Sequence, residues 1–421
     1  MKTANNIFFP MVFLGMMFFV IGFALGINSY LVPLLNNVFD ISSGKSYLVI
    51  AATFSAFLVL GYPSSYIISK IGYKLTMALS FLLFALGFYL FILSAEMSSF
   101  SLFLVASFVS GAGNTFLQSS VNPYVTIVGP LESAAQRISI MGICNKLAWP
   151  VAPIFLAAVI GKNINHVALT DINLPFYIII GIFLALGFLV LLINLPDVKA
   201  VGEDKVEDCP YAQNKKSIWQ FPHLLLGCLT LFLYVGVETL ALSTAVDYAT
   251  FLKLNRPEDY AIFPSIGLVL GYICGIIFIP KYISQQKALV ICTIIALTGS
   301  LLLVLTPPVI SVYSFFIVAL GCSMMWPALW PLAIVDLGRF TKKGSALLVT
   351  AIVGGAVIPL IIGFLKDGIG AQTAYWLMFP CFLFILYYPI YNILILNPPP
   401  SFLSQLLMYY PSLLSYSRFA L

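Results

Sequence analysis

Long apolar runs, separated by very few charged residues, restrict the folds that are open to this chain. Only 8% of its 421 residues are charged, whereas a soluble domain carries about 25%. A helix that crosses a membrane needs about 20 apolar residues, because its backbone must satisfy its own hydrogen bonds in lipid. The composition therefore excludes a soluble fold. At roughly 30 to 35 residues per helix and connection, the length predicts about twelve membrane-spanning helices.

The ends of the apolar runs predict where each helix begins and ends. In the first half we expect helices at 8–35, 46–69, 75–95, 99–128, 138–160 and 175–195. In the second half we expect them at 220–248, 261–284, 288–306, 309–335, 345–365 and 372–396. The predicted domains are therefore a first half at 1–195, a charged linker at 196–219, a second half at 220–396 and an atypical proline-rich tail at 397–421.

A repeat relates the two halves to each other. Gly61–Tyr62 recurs 210 residues later as Gly271–Tyr272, and Gly111 recurs at the same distance as Gly321. Membrane proteins that contain two parallel repeats place a substrate site between them, near the middle of the bilayer. The chain is therefore predicted to be an all-α integral membrane protein of two pseudo-symmetric six-helix halves, and to act as a transporter.

Basic residues predict the orientation in the membrane. With the N-terminus inside, thirteen Lys and Arg fall on the inner side and five on the outer side. The five outer ones are Lys45, Lys162, Lys253, Arg256 and Lys366. Because basic loops stay in the cytoplasm, we expect both termini and the linker there, and the protein in the inner membrane. The net charge of +5 thus reports orientation and indicates no nucleic-acid partner.

The reactive residue types are too scattered for an enzyme site. The seven cysteines show no CxxC spacing, and His166 and His223 each stand alone. The only dense acidic run, at 203–208, lies in the linker. We therefore predict no enzyme activity, no cofactor and no metal site, and we expect a monomer.

Carboxamides recur on one face of the fourth predicted helix. Asn114, Gln118 and Asn122 follow each other at i, i+4 and i+8. Each carboxamide both donates and accepts hydrogen bonds, which suits the hydroxyl groups of a sugar. Helix–helix hydrogen bonding is the structural alternative. Asn28 adds a further amide in the first helix.

Indole side chains provide the second candidate element of a sugar site. Trp326 and Trp330 lie one turn apart in the tenth helix, and each is followed by proline. An indole can pack on the apolar face of a pyranose and donate its N–H to a hydroxyl. A place at the membrane interface is the alternative. Asn145 and Trp149 share one face of the fifth helix and are candidates for the same site.

Three charged residues fall within apolar helices. Glu238 lies well inside the seventh helix, and a carboxylate there must be paired or protonated. We predict that it couples transport to a cation, with a structural hydrogen bond as the alternative. Lys146 is either buried and paired or extends toward the inner face. Asp247 lies nine residues after Glu238, on the opposite helix face and near the outer water.

Two long segments carry a resemblance to a known family. Residues 122–146, NPYVTIVGPLESAAQRISIMGICNK, and residues 325–360, which begin MWPALWPLAIVD, resemble the family that includes fucose permeases and glucose/galactose transporters. This family belongs to the major facilitator superfamily, and the segments look closer to its glucose/galactose branch. The resemblance implies the twelve-helix major facilitator fold, a sugar site between the halves and uptake driven by a cation gradient.

The chain differs from the fucose permeases of this family at two positions. Gln118 and Ser29 occupy the places where fucose permeases carry their two essential carboxylates. Proton coupling through those positions is therefore not available here. Glu238 is the candidate that could substitute, and the alternatives are sodium bound to amide and carbonyl oxygens and an uncoupled protein. The predicted function is uptake of a glucose- or galactose-like hexose by cation symport with alternating access. N-acetylglucosamine or another sugar, an uncoupled facilitator and a sugar sensor remain the alternatives.

Overall fold

The computed structural model describes residues 8–127, 134–193, 215–278, 282–334, 337 and 340–391, and the regular elements in these ranges are helices. The long helices before the linker are Phe8–Phe39, Leu48–Glu96, Phe100–Ile127, Ala134–Ile160 and Asn173–Leu192. Those after it are Pro222–Phe251, Ile262–Phe278, Gln285–Leu305, Ser314–Cys322, Met325–Ile334, Thr341–Ala351, Gly354–Ile369 and Met378–Tyr391.

Within the described residues, twelve stretches are long and apolar enough to cross a membrane, which confirms the predicted fold class. We number them span 1 to span 12: Met11–Phe39, Ser43–Gly61, Lys70–Glu96, Phe100–Asn122, Arg137–Ile160, Leu169–Leu192, Pro222–Phe251, Pro257–Phe278, Gln286–Leu305, Pro308–Trp330, Leu347–Ile369 and Ala371–Tyr391. Spans 1–6 are called the first half and spans 7–12 the second half. The side on which span 1 begins is called the inner side, and the opposite side the outer side.

Most predicted boundaries agree with these spans to within a few residues. Spans 2 and 3 belong to one helical segment, and it is broken at Gly72, where φ is 78° and ψ is 170°. A residue with a Cβ is strained at such a positive φ, so glycine allows the chain to turn there. The predicted linker overlaps residues 194–214, which lie outside the described ranges, as does the whole tail at 397–421.

Glycine brings the helices of each half close together. A Cβ atom added to Gly111 in span 4 would overlap the carbonyl oxygen of Thr53 in span 2. In the second half, a Cβ on Gly271 in span 8 would overlap the side chain of Ser323 in span 10. Small residues let backbones approach in a membrane, where helix association depends on close van der Waals packing. Two of the glycines of the sequence repeat are therefore close-packing positions.

The outer ends of the two halves are in contact. Asp367 in span 11 accepts hydrogen bonds from the backbone N–H groups of Ser43 and Gly44 in span 2, at 2.9 and 3.0 Å. The fully buried Tyr47 in span 2 donates its hydroxyl to Asp247 Oδ2 in span 7, at 2.7 Å. We call these hydrogen bonds the outer closure. They hold the outer ends of spans 2, 7 and 11 together.

Candidate substrate site

A cavity of about 110 Å³ lies between the two halves. Apolar side chains such as Phe18, Leu25 and Phe54 form part of its wall. Spans 4, 5, 7, 8 and 10 provide the polar, Trp and Tyr residues of the wall, which are Gln118, Asn122, Asn145, Lys146, Trp149, Tyr234, Glu238, Thr239, Tyr272 and Trp326. An apolar wall with a few convergent polar groups is the usual form of a small-molecule site.

Two of the three carboxamides of span 4 line the cavity, and the third lies behind them. Gln118 and Asn122 line the cavity, whereas Asn114 is only 1% exposed and lies behind the wall. Asn114 Oδ1 accepts a hydrogen bond from Gln118 Nε2 at 2.7 Å, and its Nδ2 donates to the Ile21 carbonyl oxygen at 3.2 Å. Asn114 therefore fixes the orientation of the Gln118 amide, and the Gln118 carbonyl and its second N–H are the groups left for a ligand.

Asn28 lies outside the wall of this cavity. It is 3% exposed, and its Oδ1 accepts a hydrogen bond from the Thr53 hydroxyl at 3.3 Å. Its Nδ2 has no hydrogen-bond partner among the described residues. In this conformation the amide links spans 1 and 2.

Span 5 provides an amide and an indole to the same wall, as the shared helix face predicts. Asn145 Nδ2 donates to the Phe18 carbonyl oxygen at 3.1 Å, so this amide also ties span 5 to span 1. Trp149 is 3% exposed, and its Nε1 has no hydrogen-bond partner among the described residues. A buried donor without an acceptor is costly. Trp149 borders the cavity, so a ligand oxygen could accept this bond once a small movement of the ring or its neighbours exposes the nitrogen.

The two indoles of span 10 have different positions. Trp326 lines the cavity, and Trp330 stacks on it with ring centroids 5.4 Å apart and an interplanar angle of 29°. Trp330 is not part of the wall. The stack holds the Trp326 ring in place, so Trp326 is the indole of this pair that a ligand would meet.

Glu238 is paired across the two halves. Its Oε2 lies 3.0 Å from the ammonium nitrogen of Lys146, and the two side chains are 9% and 11% exposed. Its Oε1 accepts a hydrogen bond from the Tyr234 hydroxyl at 2.7 Å. Lys146 is therefore buried and paired, and it does not extend toward the inner face. The sequence left this choice open, because helical periodicity does not reveal a partner on another helix.

A second buried ion pair lies at the outer side, at one of the five lysine and arginine residues that the sequence places there. Lys366 is 8% exposed and pairs with Asp247, which also accepts the Tyr47 hydrogen bond. Both charged groups border a separate outer cavity of about 620 Å³. Lys366 lies on the outer side, and the helix Gly354–Ile369 continues past the predicted end at residue 365.

Known proteins resemble this chain over most of its length. The sequence profile of the Major Facilitator Superfamily matches residues 14–352. The glucose/galactose transporter of Brucella abortus is 33% identical over 400 residues, which cover 92% of this chain and 95% of that protein. The putative glucose/galactose transporter of Helicobacter pylori is 28% identical over 405 residues, with coverage of 92% and 97%. The crystal structure of the Escherichia coli fucose:proton symporter has a TM-score of 0.68 at 23% identity, with coverage of 91% and 98%, which shows a shared fold.

Proposed function

Because the chain belongs to the major facilitator superfamily, we propose that it is a secondary transporter that carries a glucose- or galactose-like hexose through the cavity between its halves. The observation that carries the proposal is the composition of the wall, in which amides, indoles and one ion pair meet in an otherwise apolar cavity. The relatives named as glucose/galactose transporters support the choice of sugar.

The wall offers a sugar both kinds of contact that it needs. The Trp326 ring can pack on the apolar C–H face of a pyranose. Gln118 and Asn122 offer amide groups to its hydroxyls, and the Trp149 indole N–H offers a buried donor. A site built in this way selects its ligand by geometry, because a missing hydroxyl would leave a buried polar group unpaired.

Transport follows from movement of one half against the other. The outer closure holds the outer ends of the halves together, so a sugar from that side reaches the cavity only after these hydrogen bonds break. Rocking of two repeats about a central site is the usual mechanism in transporters of this design. We propose that the termini and linker are cytoplasmic, that the membrane is the inner membrane and that the protein works as a monomer.

Glu238 is the proposed coupling group for H⁺ or Na⁺. It is the acidic side chain in the wall, whereas the positions of Gln118 and Ser29 carry no acid. Replacement of Glu238 by Gln is expected to abolish accumulation against a gradient and to preserve exchange, because the neutral side chain no longer needs a cation. An uncoupled facilitator, a sugar sensor and a permease for N-acetylglucosamine are the alternatives.

Counterflow in proteoliposomes tests the sugar site. Proteoliposomes that contain the protein are loaded with unlabelled glucose. Entry of labelled glucose, galactose, N-acetylglucosamine or fucose is then measured, each with and without sodium. Gln118→Ala and Trp149→Phe are expected to lower exchange at subsaturating sugar about tenfold, since one lost hydrogen bond costs about 1.4 kcal/mol. Trp376→Phe is the matched control, because Trp376 is 41% exposed and is not part of the wall. Wild-type exchange in both site variants would refute the site, and absence of exchange in the wild type would favour a sensor.

A further inference from the structure

The Lys146–Glu238 ion pair joins two helices that belong to different halves. Lys146 lies in span 5 of the first half, and Glu238 lies in span 7 of the second half. The nitrogen and oxygen are 3.0 Å apart, and both side chains line the central cavity. The ammonium also lies 5.8 Å from the centre of the Trp149 ring, where the ring face attracts a cation. The pair is thus at once a contact between the halves and a part of the site.

Among the described residues, Lys146 is the one cation that the structure places against Glu238. Tyr234 in span 7, Tyr272 in span 8 and Cys322 in span 10 interact electrostatically with its carboxylate. Phenols and thiols are neutral at pH 7, so Lys146 is the cation in this set. With Lys146 on Oε2 and the Tyr234 hydroxyl on Oε1, each carboxylate oxygen already has a partner.

A cation that binds Glu238 must therefore compete with Lys146. A proton or Na⁺ on the carboxylate neutralises the charge that holds the ammonium, and a buried ammonium without a partner is unfavourable. While the ammonium lies on Oε2 and the Tyr234 hydroxyl on Oε1, a transported cation reaches the carboxylate only by displacing one of them. Cation binding and the contact between the halves thus exclude each other at this position.

We propose that Lys146 is a second coupling residue, whose ammonium competes with the transported cation for the Glu238 carboxylate, so that cation binding releases a contact between the halves. The proposal rests on the proposed sugar transport and defines how its coupling is regulated. Lys146 acts as a cation held in the protein, and its affinity for Glu238 sets the concentration at which the transported cation takes its place.

The test measures hexose uptake into proteoliposomes as a function of pH and of sodium for the wild type and for Lys146→Met. Removal of the ammonium is expected to move the midpoint of the pH profile of uptake by about one to three units toward alkaline pH, because a neighbouring opposite charge shifts protonation by that amount. If sodium is the coupled ion, its half-saturating concentration is expected to fall at least about tenfold on the same grounds.

Three further variants separate competition from a structural role. Lys146→Arg keeps the charge and is expected to keep the wild-type midpoint. Lys146→Met combined with Glu238→Gln removes both charges and is expected to make exchange independent of pH and sodium. Lys162→Met removes a lysine from another ion pair, with Asp171 at 2.8 Å, but this lysine is 50% exposed and is not part of the cavity wall. It is expected to leave the profile unchanged.

The outcomes distinguish this proposal from the proposed function. If Lys146→Met takes up hexose more slowly at every pH but keeps the wild-type midpoint of the pH profile, the proposed competition between Lys146 and the cation is wrong. The proposed sugar transport would then still stand. Absence of hexose counterflow in the wild type would instead refute the transport function itself. Lys146→Gln carries the same expectation as Lys146→Met and replaces it if size-exclusion chromatography shows that the methionine variant does not fold.

Discussion

Tyr47→Phe removes a single hydroxyl from the outer closure and leaves the surrounding packing in place. Tyr47 is fully buried in span 2, and its hydroxyl donates to Asp247 Oδ2 in span 7 at 2.7 Å. Asp247 keeps its ion pair with Lys366, so the substitution does not leave a buried charge without a partner. The change therefore weakens a contact between the halves with little effect within either half.

The hydrogen bond to a carboxylate sets the expected magnitude. A bond of this kind contributes about 1.5 to 3 kcal/mol, net of the water that replaces it when the outer side opens. The ratio of closed to open outer sides should then fall by roughly 10- to 150-fold. If the closed form holds about 99% of the wild-type population, a tenfold fall raises the open form to about 9%, and a 100-fold fall raises it to about half.

Double electron–electron resonance measures this population. Spin labels at Asn37 in the first half and Asn255 in the second half report the width of the outer cavity that both residues line. The labels are placed in a background in which the seven native cysteines are replaced. Tyr47→Phe is expected to add a population at longer distance.

Tyr248→Phe is the matched control for this measurement. Tyr248 is equally buried, but its hydroxyl pairs with Ser311 at 2.7 Å inside the second half. We expect this variant to lose thermal stability without any change in the distance distribution. Identical distributions for Tyr47→Phe and the wild type would show that the Tyr47 hydrogen bond does not hold the outer side closed.

Two further predictions concern the site and the packing of the first half. Gln118→Glu should exchange sugar at acidic pH and lose exchange at neutral pH, because only the protonated acid can donate to Asn114 Oδ1 as the amide does at 2.7 Å; a pH profile of counterflow equal to that of the wild type would contradict this. Gly111→Ala should destabilise the protein by about 1 to 3 kcal/mol, since its methyl group would overlap the Thr53 carbonyl oxygen. Thermal unfolding in detergent measures the effect, and Gly181→Ala, which meets no atom within 4 Å, is the control that should melt like the wild type.

The fold could be predicted because lipid imposes a rule that each segment obeys by itself. A span needs about 20 apolar residues whatever its neighbours are, so hydropathy alone locates the helices. The predicted eleventh helix ends at residue 365, whereas the helix continues through Lys366 to Ile369, and this difference has a physical reason. A lysine ends an apolar run in the sequence, yet a helix can continue through it when a buried carboxylate pairs with the ammonium.

The site could be predicted only as far as single helices determine it. The i, i+4 spacing correctly brought Asn145 and Trp149 into one wall, because residues four apart share a helix face. The same rule grouped Asn114 with Gln118, although one lies behind the wall and the other in it. How far a helix face extends into a cavity depends on the rotation of that helix against its neighbours, which tertiary packing decides.

The pairing of the acids shows why the electrostatics of the site needed a structure. Asp247 reaches Lys366, 119 residues away, and Tyr47, 200 residues away. Lys366 meets Asp247 only after spans 7 and 11 of the second half have packed, and Tyr47 meets it only after the two halves have packed, so no local spacing encodes these partners. Span 7 then joins the two charged clusters, because Glu238 and Asp247 stand nine residues apart, or about 13 Å along the helix and on opposite faces. Release of Glu238 from Lys146 removes one contact between the middle of span 7 and the first half, whereas Tyr47 still holds its outer end. The proposed cation binding at the cavity and the opening of the outer side therefore act on the same helix, and span 7 is a direct physical connection between them.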